Sequence, residues 1–214
     1  MPYPFDILPL MLRGALQTLI VTAAASIVAA ALSFAAGLAR LSRNGAIQLV
    51  TTIYIEIFRG TSLLVQMFWI FFALPLIGIT FSSFVAGTVA LGLNFGAYGA
   101  EIVRSAIVAV PAAQKEAGIA LGFSSFQRMI LIVLPQALVR MVPPFGNLFI
   151  DLLKATSLLS LISISELTFT SYLLRSAVGR TAEVFTVLLV LYFLLSRPIV
   201  YGVKWIENHR QWAV

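Results

Sequence analysis

The stretch QKEAGIALGFSSFQ, residues 114–127, is a charged, small-residue segment between two strongly hydrophobic regions. Pro111, just before it, suits the first turn of a helix, where a missing N–H group costs no hydrogen bond. Gly122 suits the left-handed position that follows a helix. Ser124 with Gln127 three residues later is typical of a capping box that starts another helix. The pattern therefore predicts two short helices joined by a glycine.

The rest of the chain has the composition of a membrane protein. Of its 214 residues, 60% are hydrophobic and only 10% are charged, and the mean hydropathy is +1.01. A soluble domain carries roughly a quarter charged residues. Because no repeat or long linker divides the chain, we predict an all-α membrane protein whose residues 1–214 form a single domain.

Five hydrophobic segments are long enough to cross a bilayer, which needs roughly 20 apolar residues. They cover about residues 14–39, 50–74, 84–108, 136–163 and 184–205. The fourth segment is expected to be interrupted at its two prolines, and the polar segment that follows it is expected to form an interfacial helix or a loop.

Basic residues lie mainly on one side of these five spans. That side carries Arg40, Arg43, Arg104, Lys115, Arg128, Lys204 and Arg210, whereas the other carries Arg13, Arg175 and Arg180. The positive-inside rule then predicts an N-terminus outside the cytoplasm and a C-terminus within it. The helix at about residues 111–122 would therefore lie in the cytoplasm, between the third and fourth spans.

Small side chains cover this predicted helix, and they would allow another protein to approach its backbone closely. Glu116 would be a lone anion among cytoplasmic cations, available to an arginine of a partner. These features favour a docking helix, although helical periodicity alone also fits an amphipathic helix lying on the membrane surface. The predicted docking residues are Ala112, Ala113, Lys115, Glu116, Ala117, Gly118, Ala120, Leu121, Gly122 and Phe123.

The motifs of this chain resemble those of the membrane subunits of ABC importers for polar amino acids. EAGIALG at 116–122, followed by ILIVLPQA at 130–137, is similar to the EAA loop of that family. The other matching motifs are, in order, YIEIFRGTSLLVQ at 54–66, NFGAYGAEIVRSAI at 94–107, LPQALVRMVPPFGN at 134–147 and LLKATSLLSLI at 152–162.

Two positions depart from the family pattern. Gly118 stands where the EAA signature has its second alanine, a small-for-small change expected to leave docking intact. Ser62 stands where the usual RGTP motif has proline. RGTS, together with FWIFFALP at 68–75, most resembles permeases for ectoine and hydroxyectoine, which are zwitterionic compatible solutes.

The resemblance implies a type I ABC importer fold, in which the EAA loop is the coupling helix that docks on an ATPase. It implies as partners a dimer of ATPase subunits, a second permease subunit (identical or paralogous), an extracytoplasmic solute-binding protein and the lipid of the bacterial cytoplasmic membrane. Because the chain lacks a GxxxxGK[ST] loop, ATP and Mg are expected on the ATPase. No cofactor, metal or nucleic acid is expected on this chain. The implied function is ATP-driven uptake of a polar amino acid or an ectoine.

Polar residues inside the spans are the candidates for solute contact, because an unpaired charge in lipid costs several kcal/mol or more. A zwitterion needs an acceptor for its cationic end and donors for its carboxylate. The pathway candidates are Glu56, Arg59, Thr61, Asn94, Tyr98 and Glu101, with a structural Glu56–Arg59 pair as the alternative. A second set of residues is a candidate for either a structural role or contact with solute: Asn147, Asp151, Lys154, Thr156 and Ser157. Its Asp151–Lys154 pair would anchor the subunit core.

Two other functional classes fit the sequence less well. An intramembrane enzyme needs a nucleophile with a base, or metal ligands, but the chain has no cysteine and its single histidine, His209, lies in the polar tail. An ion-gradient-driven secondary transporter of amino acids is the main alternative. Such carriers usually have paired inverted halves, which an odd number of spans does not provide.

Overall fold

The computed structural model describes residues 7–210, and within that range the protein is helical and has no strand. The α-helices are α1 (Leu8–Ala39), α2 (Gly45–Gly60), α3 (Leu63–Phe68), α4 (Ser83–Val108), α5 (Ala112–Ala120), α6 (Ser125–Arg128), α7 (Leu134–Ala155), α8 (Leu167–Val178) and α9 (Thr181–Arg210). Two π-helical turns, Trp69–Ala73 and Met129–Val133, and two 3₁₀ segments, Leu74–Ile77 and Thr156–Ile162, extend α3, α6 and α7. The all-α prediction is confirmed.

Helices α1 and α4 pack closely along their lengths and form the centre of the protein. The contact depends on small residues, as is usual for helices that meet in a membrane. A Cβ atom on Gly96 would lie 2.8 Å from Leu32 Cβ, and one on Gly99 would lie 2.0 Å from Ser33 Oγ. The Ser33 hydroxyl donates to the Gly96 carbonyl across the interface, at 3.3 Å. Larger side chains at these glycines would separate the two helices.

Helices α7 and α9 add a second layer. Phe145 of α7 stacks on Phe34 of α1, with ring centroids 5.9 Å apart. On another face of α7, Gly146 admits Val203 of α9, whose Cγ2 would be 2.3 Å from an added Cβ. The long helices are therefore packed around α1 and α4.

Three helical segments are long and apolar enough to cross a membrane: Leu8–Ala39, Ser125–Ile162 and Thr181–His209. The pair Gly45–Gly60 and Leu63–Ile77 qualifies only as one bent unit, with an angle of 105° at the break. Helix α4 is not in this set, but its 26 residues span about 39 Å and its faces are largely buried in the protein.

The second and fourth predicted spans differ from expectation. The second is sharply broken near Thr61 rather than continuous over 50–74. In the fourth, α7 continues through Pro143 and Pro144 without interruption. The irregular turns instead precede and follow α7, where a π-helical turn leads into Pro135 and a 3₁₀ segment begins at Thr156.

The polar segment after the fourth span forms α8, whose N-terminus is buried. Glu166 caps this helix and is 0% exposed. Its carboxylate accepts hydrogen bonds from the backbone N–H groups of Thr168 at 2.8 Å and Phe169 at 2.7 Å, and from the Tyr192 hydroxyl at 3.0 Å. The Leu167 N–H donates to Thr18 Oγ1 at 3.1 Å. Glu166 and Thr18 thus link α8 to α9 and α1, a structural role that no sequence motif indicates.

Candidate functional site: a docking helix and a broken span

The glycine joint after α5 has the geometry predicted from the sequence. Gly122 has a φ of +77°, in the left-handed region that glycine occupies at little cost. The Gly122 N–H donates to Ile119 O at 2.9 Å, and the Phe123 N–H donates to Gly118 O at 3.0 Å. These two bonds form a Schellman motif, which satisfies carbonyl groups left free at a helix C-terminus.

The capping box that starts α6 is also present. The Gln127 N–H donates to Ser124 Oγ at 3.3 Å, and the Ser124 N–H donates to Gln127 Oε1 at 2.8 Å. Both local predictions are therefore confirmed, and the segment consists of a helix, a glycine joint and a second helix.

The outer surface of this segment combines small residues with protruding apolar ones. Leu121 is 71% exposed and Phe126 is 72% exposed. The alanines Ala112, Ala113, Ala117 and Ala120 are exposed too. Glu116 is exposed, and neither it nor the half-buried Lys115 forms an ion pair within residues 7–210. This surface is suited to a partner with an apolar groove.

Gly118 differs from the other predicted docking residues because it is buried and faces the protein itself. A Cβ atom there would lie 2.7 Å from Ile132 Cδ1 and 3.0 Å from Arg128 Cγ. The glycine therefore makes room for the stem of Arg128. The contact at this position is internal, so Gly118 does not present its own surface to a partner, and intact docking with glycine here stays a prediction.

The break between α2 and α3 is held by buried side-chain amides. Gln66 Nε2 and Asn94 Nδ2 each donate a hydrogen bond to Phe58 O at 2.9 Å. Gln66 Nε2 also donates to Thr61 Oγ1 at 2.6 Å, and Asn94 Nδ2 donates to Gln66 Oε1 at 3.1 Å. The last carbonyl groups of a helix lack intrahelical partners, so these amides replace the bonds that a continuous helix would have made. We call Phe58, Thr61, Gln66 and Asn94 the amide lock.

Two of the predicted pathway residues, Asn94 and Thr61, belong to the amide lock. Asn94, a candidate for solute contact, is only 5% exposed and has both described bonds inside the lock. Gln66 was not singled out from the sequence, although a glutamine in an apolar run is a recognisable signal. Thr61 is exposed at the edge of the lock and donates to Ile57 O at 2.7 Å.

Replacing Gln66 by leucine is expected to lower the free energy of unfolding by about 1–3 kcal/mol, because Thr61 loses its amide donor and Asn94 loses its amide acceptor. Thermal unfolding of the purified protein in detergent measures the change. Gln48→Leu is the matched control, since Gln48 is exposed and its side chain bonds only to Ser42 O among the described contacts. Equal melting temperatures for the two variants would contradict a stabilising lock.

Arg59 and Tyr98 form an exposed pair beside the lock. The guanidinium carbon of Arg59 lies 5.3 Å from the centroid of the Tyr98 ring, a cation–π arrangement, and the Tyr98 hydroxyl donates to Arg59 O at 3.4 Å. Tyr98 is 41% exposed. Glu56 is exposed and forms no ion pair with Arg59, so the alternative of a structural Glu56–Arg59 pair is not what the structure shows.

Glu101 lies in an ion cluster with Arg40 and Arg104. Its Oε2 is 3.1 Å from Arg40 Nη1, and its Oε1 accepts from Arg104 Nε at 2.9 Å and also contacts Arg104 Nη2. The cluster joins the end of α1 to α4. Both carboxylate oxygens contact an arginine, so Glu101 has a structural role in the described residues, and its contact with solute stays a prediction.

Asp151 and Lys154 form the predicted pair, with 3.2 Å between Lys154 Nζ and Asp151 Oδ1. Their side chains are 65% and 62% exposed, respectively, so the pair does not anchor the subunit core as expected. Asn147, also exposed, lies one helical turn before Asp151 on the same face of α7.

Thr156 and Ser157, in the 3₁₀ segment after α7, differ from each other in exposure. Thr156 is fully buried and donates to Leu153 O at 2.7 Å. Ser157 is half-buried, and its carbonyl accepts from the Ser160 hydroxyl at 2.7 Å. The buried Thr156 supports a structural role for this position. His209 is exposed in the C-terminal part of α9, as expected.

The sequence of this chain matches a known family over most of its length. Residues 27–209 match the family described as binding-protein-dependent transport system inner membrane component. A Sinorhizobium fredii (strain NBRC 101917 / NGR234) protein described as a probable amino-acid ABC transporter permease, y4tF, is 46% identical over 92% of this chain and 85% of its own length. The Escherichia coli (strain K12) glutamine transport system permease protein GlnP is 33% identical over 94% of this chain and 93% of its own.

Solved structures agree with the sequence matches. A crystal structure of an amino acid ABC transporter with histidines superposes with a TM-score of 0.90 and 32% identity, covering 96% of each chain. An inward-facing structure of the MetNI methionine ABC transporter superposes with a TM-score of 0.81, covering 98% of this chain and 99% of that one; at 22% identity it shows the fold alone.

These matches distinguish between the functions that the sequence left open. The fold is that of a type I ABC importer permease, and the family is one of ABC importers rather than of ion-gradient-driven carriers. Family members are multi-pass inner membrane proteins that act with an ATPase and a binding protein. The chain belongs to the family of binding-protein-dependent transport system inner membrane components, as a permease subunit of an ABC importer.

Proposed function

We propose that this permease subunit takes up a small zwitterionic amino acid, handed over by an extracytoplasmic binding protein. The observation that carries the proposal is the exposed Glu56–Arg59 turn beside Tyr98. Residues three apart on a helix lie about 5–6 Å apart at their Cβ atoms. An acceptor and a donor at this separation suit a solute whose ammonium and carboxylate groups share one carbon atom. The amino-acid relatives support this solute class, and ectoines remain the alternative to be tested beside it.

The α5–α6 segment is proposed to be the coupling helix. Its exposed Leu121 and Phe126 would enter an apolar groove of an ATPase subunit, with Glu116 near a basic residue of that partner. In this proposal the permease has no catalytic centre, and ATP and Mg bind to a dimer of separate ATPase subunits. The EAA-like sequence and the Schellman joint support the assignment.

A second permease subunit, identical or paralogous, is proposed to cover the charged face of α7. Exposed charges inside a membrane face protein or water rather than lipid, because lipid cannot solvate them. Asp151 and Lys154, with Asn147 on the same face, are therefore placed toward the partner permease or the water-filled pathway.

The proposed orientation has the N-terminus outside and the C-terminus in the cytoplasm, following the basic residues near α5 and the ends of α1 and α4. Because the chain has no cysteine, a single cysteine at Gly45 is a clean reporter. We expect no labelling by a membrane-impermeant maleimide in intact cells and labelling after permeabilisation. Labelling in intact cells would contradict this orientation.

Arg59→Gln is expected to reduce transport by about 10- to 100-fold, the cost of losing charge-assisted hydrogen bonds to a carboxylate. Transport is measured in proteoliposomes containing the complete importer, with a panel of amino acids, ectoine, a sugar and a metal ion. Arg13→Gln, an exposed cation far along the chain from the broken span, is the control. Unchanged uptake in Arg59→Gln, or uptake only of the sugar or the metal, would refute the proposed solute site. Loss of the assembled complex would show that Arg59 is structural.

A further inference from the structure

A pocket lies between the proposed coupling helix and the ends of the long helices. Its volume is about 290 Å³. Leu41, Val108, Ile119 and Met129 contribute apolar walls, and Lys115 and Arg128 contribute the charged groups. We call it the basic pocket. Leu121 and Phe126, the most exposed apolar residues of the proposed docking surface, do not line it.

Arg128 is held in place within the basic pocket. Its Nη1 donates to Phe123 O at 2.6 Å, and its Nη2 donates to Ser125 Oγ at 3.0 Å. Its stem packs on Gly118, where an added Cβ would lie 3.0 Å from Arg128 Cγ. A guanidinium held by two of its donors presents the others in a fixed direction, and planar forks of this kind match phosphate oxygens.

The positive charges of the basic pocket are not neutralised by the protein within residues 7–210. The Lys115 side chain forms no ion pair or hydrogen bond there, and the hydrogen bonds of the Arg128 side chain go to neutral oxygens. Glu116, the adjacent residue of α5, is exposed and forms no ion pair with either cation. Two cations beside apolar walls are therefore available to a ligand with one anionic end and one apolar end.

We propose that the basic pocket binds an anionic phospholipid, with its phosphate between Lys115 and Arg128 and its acyl chains along the apolar walls. This rests on the proposed orientation, which places the pocket at the cytoplasmic leaflet. Basic pockets between membrane helices on that side bind anionic headgroups, and the leaflet itself is negatively charged. The apolar walls favour a lipid over free phosphate, because inorganic phosphate would leave them in contact with water.

The site also connects lipid to the coupling helix. Lys115 belongs to α5 and Arg128 to α6, so a phosphate bridging them would link the two sides of the Gly122 joint. The pocket walls at Leu41 and Val108 belong to the ends of the membrane helices. A bound lipid would therefore stabilise the position of the coupling helix against those ends.

The test uses the complete importer in nanodiscs of phosphatidylcholine mixed with phosphatidylglycerol, followed by release into detergent and native mass spectrometry of the retained lipid. Phosphatidylglycerol should be enriched over its share in the nanodisc. Lys115→Gln should reduce that retention about fivefold, since each basic residue near an anionic surface contributes about that factor. Lys204→Gln is the matched control, because Lys204 is an exposed cation on the same proposed side that does not line the pocket.

Three results would overturn the proposal: no enrichment of phosphatidylglycerol, equal retention in Lys115→Gln and the unaltered protein, or an equal loss in Lys204→Gln. Displacement of the lipid by inorganic phosphate alone would identify a free-phosphate site instead. Binding-protein-stimulated ATP hydrolysis in the same nanodiscs tests the proposed function separately. A complex that couples normally but retains no phosphatidylglycerol would refute only the lipid site.

Discussion

Replacing Glu166 by alanine is expected to lower the free energy of unfolding by about 2–5 kcal/mol, the largest stability effect of any substitution considered. The carboxylate is fully buried and accepts from the backbone N–H groups of Thr168 and Phe169. Each buried donor left without an acceptor costs about 1–3 kcal/mol. Tyr192 would keep its contact with the Thr168 hydroxyl at 2.9 Å, so the main loss is at the two backbone donors.

Chemical or thermal unfolding in detergent measures this loss, with Glu116→Ala as the control because Glu116 is exposed and has no described partner. Glu166→Gln keeps one acceptor oxygen and should fall between the two variants. A Glu166→Ala protein that unfolds like Glu116→Ala would show that the cap does not stabilise the fold.

The stability of the protein should also depend on pH through Glu166. Burial raises the pKa of this carboxyl group above its usual 4.5, and its hydrogen bonds act in the opposite direction. The folded state therefore binds a proton more tightly than the unfolded state does. The stability that this tighter proton binding contributes is fully present below pH 4.5 and is lost as the pH rises through the raised pKa of Glu166. The decrease in the free energy of unfolding with rising pH should be absent in Glu166→Gln. A pH profile of stability in that variant equal to that of the unaltered protein would contradict the assignment to Glu166.

Replacing Gly122 by valine is expected to abolish most binding-protein-stimulated ATP hydrolysis, because the joint of the proposed coupling helix would be lost. Gly122 has a φ of +77°. A residue with a side chain pays about 1–2 kcal/mol in the left-handed region, and a β-branched one is still less suited to it. Glu116→Ala should have a smaller effect, since an exposed ion pair is worth only about 0–1 kcal/mol.

Gly179 provides a matched control for Gly122. It follows α8 with a φ of +70°, and an added Cβ would meet no atom within 4 Å at either glycine. Gly179→Val should therefore destabilise the protein about as much as Gly122→Val while leaving stimulated ATP hydrolysis largely intact. Full stimulation in Gly122→Val, or equal losses in both variants, would favour a helix that only lies on the membrane surface.

The helical membrane fold and the local form of the coupling segment could be predicted from the sequence. The Gly122 joint and the Ser124–Gln127 capping box depend on hydrogen bonds between residues at most five positions apart. Such bonds are determined by the residue types in one short window. The pairing of Asp151 with Lys154 is equally local.

The long-range partners of Glu101 and Asn94 depend on the tertiary structure. Glu101 pairs with Arg40, 61 positions away, and Asn94 bonds to Phe58, 36 positions away. Neither spacing is visible as a pattern in the sequence, because it depends on which helix faces meet. The small residues that bring α1 and α4 together also bring Arg40 within reach of Glu101.

Composition and local motifs alone predict a helical membrane protein with a capped, glycine-jointed segment between its third and fourth hydrophobic regions. The 105° bend of the second region, the inward position of Gly118 and the burial of Glu166 depend on long-range packing. The physical reason is the range of the interactions. Backbone hydrogen bonds and caps act within a few residues, whereas burial and the choice of polar partner depend on helices that are distant in the chain.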